Sequence, residues 1–250
     1  MLTRQQLEII NRKTIRYPLH IAEKDYLLAL VLQLIASSSL GEKLVFKGGT
    51  AIHHCYLEQN RFSEDLDFSS GQQLISLEDV QKVFTSVPYL EIKKHYQSKA
   101  TIKIERLLYY GPLGFPNSIK VEFDFLQNVL LPTKQLPYRS VWGIDFNVRV
   151  MDIREICAEK IRAMSDRARY RDFYDLFLLL ENHQLDLQEV IGYIRQKEIR
   201  RTISKISILT NWKITGSQKE AEMKNIFYSR LVEDRHIEAM ITGLPLNEIS

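Results

Sequence analysis

The segment Ile119-Lys120-Val121-Glu122-Phe123-Asp124-Phe125 alternates apolar and charged side chains without a break. Successive side chains of a strand point to opposite faces, so a period of two commits this stretch to a sheet with one buried and one polar side. Val121, Phe123 and Phe125 form the buried set; Lys120, Glu122 and Asp124 form the other. The shorter run Asp65-Leu66-Asp67-Phe68 repeats the pattern, with Asp65 and Asp67 projecting together while Leu66 and Phe68 enter the core. Further strands are expected at Leu44–Phe46, Tyr89–Tyr96, Ala100–Tyr110 and residues 147–151, with a turn at Gly111-Pro112-Leu113-Gly114. Helices are expected over residues 3–13, 20–38, 51–59 and 77–85, the first and last capped by Thr3 and Ser76. On the second, Ile21, Leu28, Val31, Leu32 and Ile35 lie near one face.

From Ile153 the period changes to that of helices, over residues 153–168, 171–182 and 187–197. The expected class is therefore α+β: an α/β domain over residues 1–152 with a small mixed sheet, then a helical region over 153–250.

Composition excludes several classes. With 250 residues, 45% hydrophobic and 26% charged, the chain can bury a core and is not intrinsically disordered. Cys55 and Cys157 are too few for a disulfide framework or a four-cysteine zinc site. The longest near-apolar run, Tyr26–Ala36, is broken by Gln33 and falls short of the ~20 residues that span a bilayer. A reduced, cytoplasmic setting without membrane contact is expected. The net charge of +3 does not by itself argue for a nucleic-acid partner.

The chemistry-bearing residues cluster early. Phe46-Lys47-Gly48-Gly49-Thr50 is a strand running into two glycines and then a helix, a turn that lets backbone amides approach a phosphate. Without a Gly-Lys-Ser/Thr ending it is not a Walker A loop, and read alone it is also an ordinary tight turn. Asp65 and Asp67 repel one another unless a cation sits between them; hard oxygen ligands at this spacing suit Mg²⁺ held together with substrate phosphates. Glu122 or Asp124 could add a third carboxylate from a neighbouring strand, and the alternative is a solvated polar face. Together, glycine turn, carboxylate pair and later acidic strand follow the logic of a polymerase-β-type nucleotidyltransferase site.

Four segments resemble the AbiEii/AbiGii family of nucleotidyltransferase toxins, the effectors of type IV toxin–antitoxin pairs. They are Ala22–Leu27, Phe46–Ile52, Arg61–Phe68, and Glu155–Ala163 continuing to Arg171–Leu176. The resemblance implies a polymerase-β-like nucleotidyltransferase domain followed by helices that complete an active-site cleft. It implies an NTP substrate, Mg²⁺ or Mn²⁺ as cofactor, and a cognate antitoxin. Lys47, Gly48, Gly49, Thr50 and Lys160 would bind the nucleotide, Lys160 through phosphate. Asp65, Asp67, Glu122 and Asp124 would be the metal-binding set, and either Asp172 or Asp175 would be essential, with Asp172 preferred. Where many relatives have Gly-Ser at the turn, this chain has Gly48-Gly49-Thr50, so Thr50 or backbone amides would take over the phosphate. Read without the resemblance, Lys160, Arg171, Asp172 and Asp175 form an inter-helix salt-bridge network.

The implied reaction moves NMP from an NTP to an acceptor hydroxyl, with RNA such as a tRNA 3′ end as acceptor. Transfer to a protein side chain, or nucleotide binding without catalysis, are the alternatives. Two basic runs offer docking surfaces for a polyanion: residues 92–106, with five basic residues against Glu105, and residues 195–213, with six against Glu198. His53, His54, Cys157, Trp142 and Trp212 read as packing residues.

Overall fold

Period-two patterning delivers a seven-stranded sheet. The computed structural model describes residues 1–71, 73–197 and 201–249. Its strands are β1 (Val45–Lys47), β2 (Asp65–Ser69), β3 (Leu90–Gln97), β4 (Thr101–Tyr110), β5 (Pro116–Asp124), β6 (Lys134–Tyr138) and β7 (Phe146–Val150). They lie in the order β3-β4-β5-β2-β1-β7-β6. β2 runs parallel to β5 and β1 parallel to β7, while the other neighbours are antiparallel, so the sheet is mixed. Phe46, Phe68 and Phe123 stack across β1, β2 and β5 with ring centroids 5.4 and 5.5 Å apart.

Helices α1 (Arg4–Lys13), α2 (Leu19–Ala36), α3 (Gly48–Ala51) and α4 (Leu77–Thr85) belong to the same part of the chain. Thr3 and Ser76 close capping boxes on α1 and α4, as their positions predict. Helix α2 departs from the one-faced expectation. Ile21 is only half-buried, whereas Glu23 and Asp25 are buried. Both carboxylates are satisfied inside the core: Glu23 accepts from the Leu113 amide at 2.6 Å, and Asp25 accepts from the Trp142 indole at 2.8 Å. A side chain at Gly111 would meet the Glu23 carboxylate at 2.5 Å, which explains that turn's glycine.

The remaining helices are α5 (Ile153–Asp166), α6 (Tyr170–Asn182), α7 (Leu187–Ile194), α8 (Lys205–Ile226) and α9 (Asp234–Gly243). The chain forms two compact units. The first comprises residues 1–58, 62–128 and 133–150; the second comprises 59–61, 129–132 and 151–250. In the second, Trp212 packs against Tyr170 and Phe173 at centroid distances of 6.2 and 5.1 Å. Lys197 is buried and donates to Glu155 at 2.7 Å and Glu159 at 3.1 Å.

Two elements differ from expectation. The helix expected from residue 51 starts at Gly48 and turns π-helical over Ile52–Tyr56. Strand β6 carries no alternation, because it is the sheet's last strand and includes Pro137, which only an edge can accept without losing a ladder bond. Among the described residues no helix is long and apolar enough to cross a membrane.

Trp142→Phe keeps the ring but leaves the buried Asp25 carboxylate short of a donor. It should lower stability by about 1–3 kcal/mol, read from urea unfolding midpoints at unchanged slope.

Candidate active site

The glycine turn and the carboxylate strand are physically interlocked. Gly48 sits at φ +78°, a conformation that L side chains rarely adopt. A Cβ placed there would lie 2.5 Å from Asp67 Oδ2, so the turn backbone and this carboxylate occupy adjoining space that only glycine permits. Thr50 is buried, and its hydroxyl donates to the Asp65 carbonyl at 2.6 Å, with the Ser63 hydroxyl 3.0 Å away. Thr50 therefore ties the short helix to the start of β2.

Register then assembles the polar face. β1 pairs Lys47 with Asp67, and β5 pairs Lys120 with Asp65, Glu122 with Asp67 and Asp124 with Ser69. Partners in register share a face, so Asp65, Asp67, Glu122 and Asp124 all lie on the side opposite Leu66, Phe68, Val121 and Phe123. The two later carboxylates are placed differently. Asp124 is bridged by Lys47 Nζ at 3.1 Å and accepts from the amides of Leu126 and Gln127 at 2.9 and 3.3 Å. Glu122 is 40% exposed and pairs with Lys103 at 2.9 Å.

Asp65 and Asp67 offer two hard oxygen donors side by side, with Glu122 in register beside Asp67. That donor set fits Mg²⁺, which commonly takes one or two carboxylates and completes its shell with water and substrate phosphates. Among the described residues no cluster of three or more His, Cys, Asp or Glu forms an all-protein cage.

The second unit holds a buried ion network. Lys160 of α5 reaches Asp172 at 2.9 Å and Asp175 at 2.8 Å, both on α6 and fully buried. Arg167 donates to Asp172 at 2.8 Å. Arg61 grips Asp175 in a fork, with both bonds at 2.7 Å. Three cations thus face two carboxylates. Burial alone would raise the Asp172 pKa, but Lys160 and Arg167 outweigh it and hold the carboxyl well below its usual range. In the same way the Asp175 pair overrides burial and raises Arg61 above the ordinary guanidinium value.

Sequence reasoning brought Lys160, Asp172 and Asp175 together but assigned Arg171 where Arg61 and Arg167 stand. The Arg171 backbone amide instead donates to Glu222 at 3.0 Å. Arg61 precedes Asp175 by 114 residues, so no spacing rule could pair them. Both histidines after the turn are buried, with His54 stacked on Tyr138 and its Nδ1 2.8 Å from the Arg139 carbonyl. Both thiols are buried and free, their pKa values pushed up to about 12 mainly by burial. In the basic run 195–213, Lys197 is consumed by buried ion pairs, and Glu198 and Arg200 lie outside the described residues.

This architecture is that of a nucleotidyltransferase. The chain superposes on the MenT4 nucleotidyltransferase toxin of Mycobacterium tuberculosis H37Rv with a TM-score of 0.60 at 20% identity, over 98% of this chain and 99% of that one. It matches JHP933 from Helicobacter pylori with a TM-score of 0.59 at 16% identity, over 89% and 90% of the two chains. At these identities the likeness is one of fold. No curated protein sequence matches the chain. The family model described as nucleotidyl transferase AbiEii toxin, type IV TA system, matches residues 30–246. The chain belongs to that family and is a nucleotidyltransferase.

Two outcomes follow. Gly48→Ala should cost roughly 1–2 kcal/mol from its left-handed backbone and should also displace Asp67. Nucleotide transfer should fall by far more than the melting temperature accounts for. Asp172→Asn should cost about 3 kcal/mol at neutral pH, because it leaves Lys160 and Arg167 short of a buried partner. The wild-type Asp172 pKa is depressed on folding, so its stabilisation is present above the unfolded value of ~3.9 and is lost as pH falls below it. The variant's stability should therefore fall less steeply than the wild type's below about pH 4, measured by denaturant unfolding across pH.

Proposed function

We propose that this enzyme transfers NMP from an NTP to a hydroxyl of an RNA acceptor, such as a tRNA 3′ end, in a metal-dependent reaction. As in the family to which it belongs, it acts as the toxin of a toxin–antitoxin pair and is held in check by a cognate antitoxin. The observation that carries the reading is the register that sets Asp65, Asp67 and Glu122 on one sheet face, with Gly48 packed against Asp67.

Asp65 and Asp67 would hold Mg²⁺ or Mn²⁺. Glu122 is the third carboxylate of the set, since it stands in register with Asp67, whereas Asp124 stands in register with Ser69. Held there, such an ion would supply positive charge to neutralise the triphosphate. Gly48 and Gly49 leave the turn backbone open to phosphate, and Thr50 secures the turn to β2. Lys47 beside Asp67 adds a positive charge at the same place. Lys160 is assigned to phosphate binding: two of its three donors are directed at Asp172 and Asp175, which orient it, and the third serves a phosphate oxygen. In the reaction the acceptor oxygen bonds to the α-phosphorus, the bond to the β-phosphate bridging oxygen breaks, and pyrophosphate leaves. The hydroxyl proton passes to solvent.

Incubation of the protein with each labelled NTP, Mg²⁺ and total RNA or total protein reads base choice and acceptor together. Label should appear in RNA. Asp65→Asn and Asp67→Asn should each abolish it while changing folding stability by no more than ~0.5 kcal/mol, the effect expected of a surface strand residue. Full transfer by either variant would overturn the assignment of the pair.

A further inference from the structure

The polar face of the sheet extends past the carboxylates. Register carries it outward from β2 to the edge strand β3: Asp65 beside Lys120, Asp67 beside Glu122, Glu122 beside Lys103, and Lys103 beside Tyr96. Lys94 lies at a bulge of β3, where strict alternation does not hold, and bridges to Glu105 of β4. The Glu105 carboxyl is held below its usual pKa by that Lys94 bond first, with Lys103 and Lys120 adding to it. Lys94 pairs with Glu105, and Lys103 pairs with Glu122 beside it in register. Lys94, Tyr96 and Lys120 are exposed, the tyrosine by 52%, an unusual place for an aromatic ring on a sheet face.

We propose that this face is the docking track for the single-stranded 3′ end of the RNA acceptor, with Lys94, Lys103 and Lys120 on its phosphates and Tyr96 stacking on a base. The inference rests on the reading above that RNA receives the nucleotide. Charge and geometry select this occupant. Cations flank an exposed ring, and base stacking on an aromatic side chain is tolerant of sequence because every base has a π-face. Three strand spacings of ~4.8 Å separate β2 from β3, about 14 Å in all. At ~3.4 Å per stacked nucleotide, that places a base on Tyr96 about four nucleotides from a terminus at Asp65 and Asp67. In the free protein, Glu105 and Glu122 keep the lysines gathered on this face.

The test uses the full chain and a short 5′-fluorescein single-stranded RNA, with affinity read by anisotropy across a salt series. NTP–Mg²⁺ affinity is read separately by calorimetry without RNA. Lys94→Glu combined with Lys120→Glu should weaken RNA binding at least tenfold and flatten the log–log salt slope by about 1.4, roughly 0.7 per lost phosphate contact. Tyr96→Ala should weaken binding roughly fivefold or more with little change in slope, and Tyr96→Phe, which keeps the ring, should bind like the wild type. NTP affinity should stay the same in all three. Wild-type RNA binding with unchanged affinity and slope in the variants would overturn the track while leaving RNA as the acceptor. Loss of NTP affinity would place the face in the nucleotide site and overturn it too. A wild type that binds no RNA and labels only protein would overturn both the track and the acceptor reading.

Discussion

The constraint on which this molecule turns is the two-residue period of β2, held between β1 on one side and β5 on the other. Leu66 and Phe68 are buried, and Phe68 stacks between Phe46 and Phe123, so β2 cannot slip by one residue without turning its hydrophobic side outward. The same alternation drives Asp65 and Asp67 out together. Core packing thus fixes the carboxylates at the opposite surface, and no separate device is needed to aim them. Gly48 adds a second lock, since its missing side chain makes room for the Asp67 carboxylate. A rigid strand is a better support for metal-binding groups than a loop, because the position of each oxygen is set by packing.

The second unit solves a different problem. Its chemistry-bearing residues are buried, and burying charge is costly unless each group is paired and hydrogen-bonded. Asp172 and Asp175 sit one helical turn apart on α6 and divide three cations between them. Each aspartate receives a forked guanidinium, Arg167 for the one and Arg61 for the other, and the two share Lys160. Such an arrangement gives little net stability over a hydrophobic replacement, yet removing any one member is costly. It holds the Lys160 ammonium in a fixed direction, with three cations against two carboxylates.

How much of this could be read from the residues alone follows from how local each signal is. β2 and β5 were legible because alternation needs only neighbours in sequence, and the caps of α1 and α4 because Thr3 and Ser76 act within one turn. The family model over residues 30–246 agrees with the resemblance carried by the glycine turn, the Asp-x-Asp strand and the Ala-Glu-Lys helix. What escaped depends on the fold. β6 has no alternation, since an edge strand with a proline answers to its single neighbour β7. The burial of Glu23 and Asp25 could not be read from the helix alone, because their partners, Leu113 and Trp142, come from distant loops. Arg61 stood inside a quoted motif, but its role is written in Asp175, and only folding joins them. The hydrogen bond from Thr50 to the Asp65 carbonyl likewise joins two segments that only folding brings together.

The two basic runs show why charge in sequence and charge in space are different quantities. The later run, residues 195–213, has the larger excess of basic residues, but Lys197 is withdrawn into a buried pair with Glu155 and Glu159. The earlier run has the smaller excess, and Lys93, Lys94 and Lys103 are ion-paired too, yet pairing leaves the first two exposed and the third half-buried. The difference lies in the partner's burial: an exposed ion pair contributes at most about 1 kcal/mol and yields readily to a polyanion, whereas a buried one does not. The strand period then sets Lys103, from this run, and Lys120, from β5, on the side that carries Asp65 and Asp67. The alternation that sets Asp65 and Asp67 on one face also lays out Lys103 and Lys120 beside them.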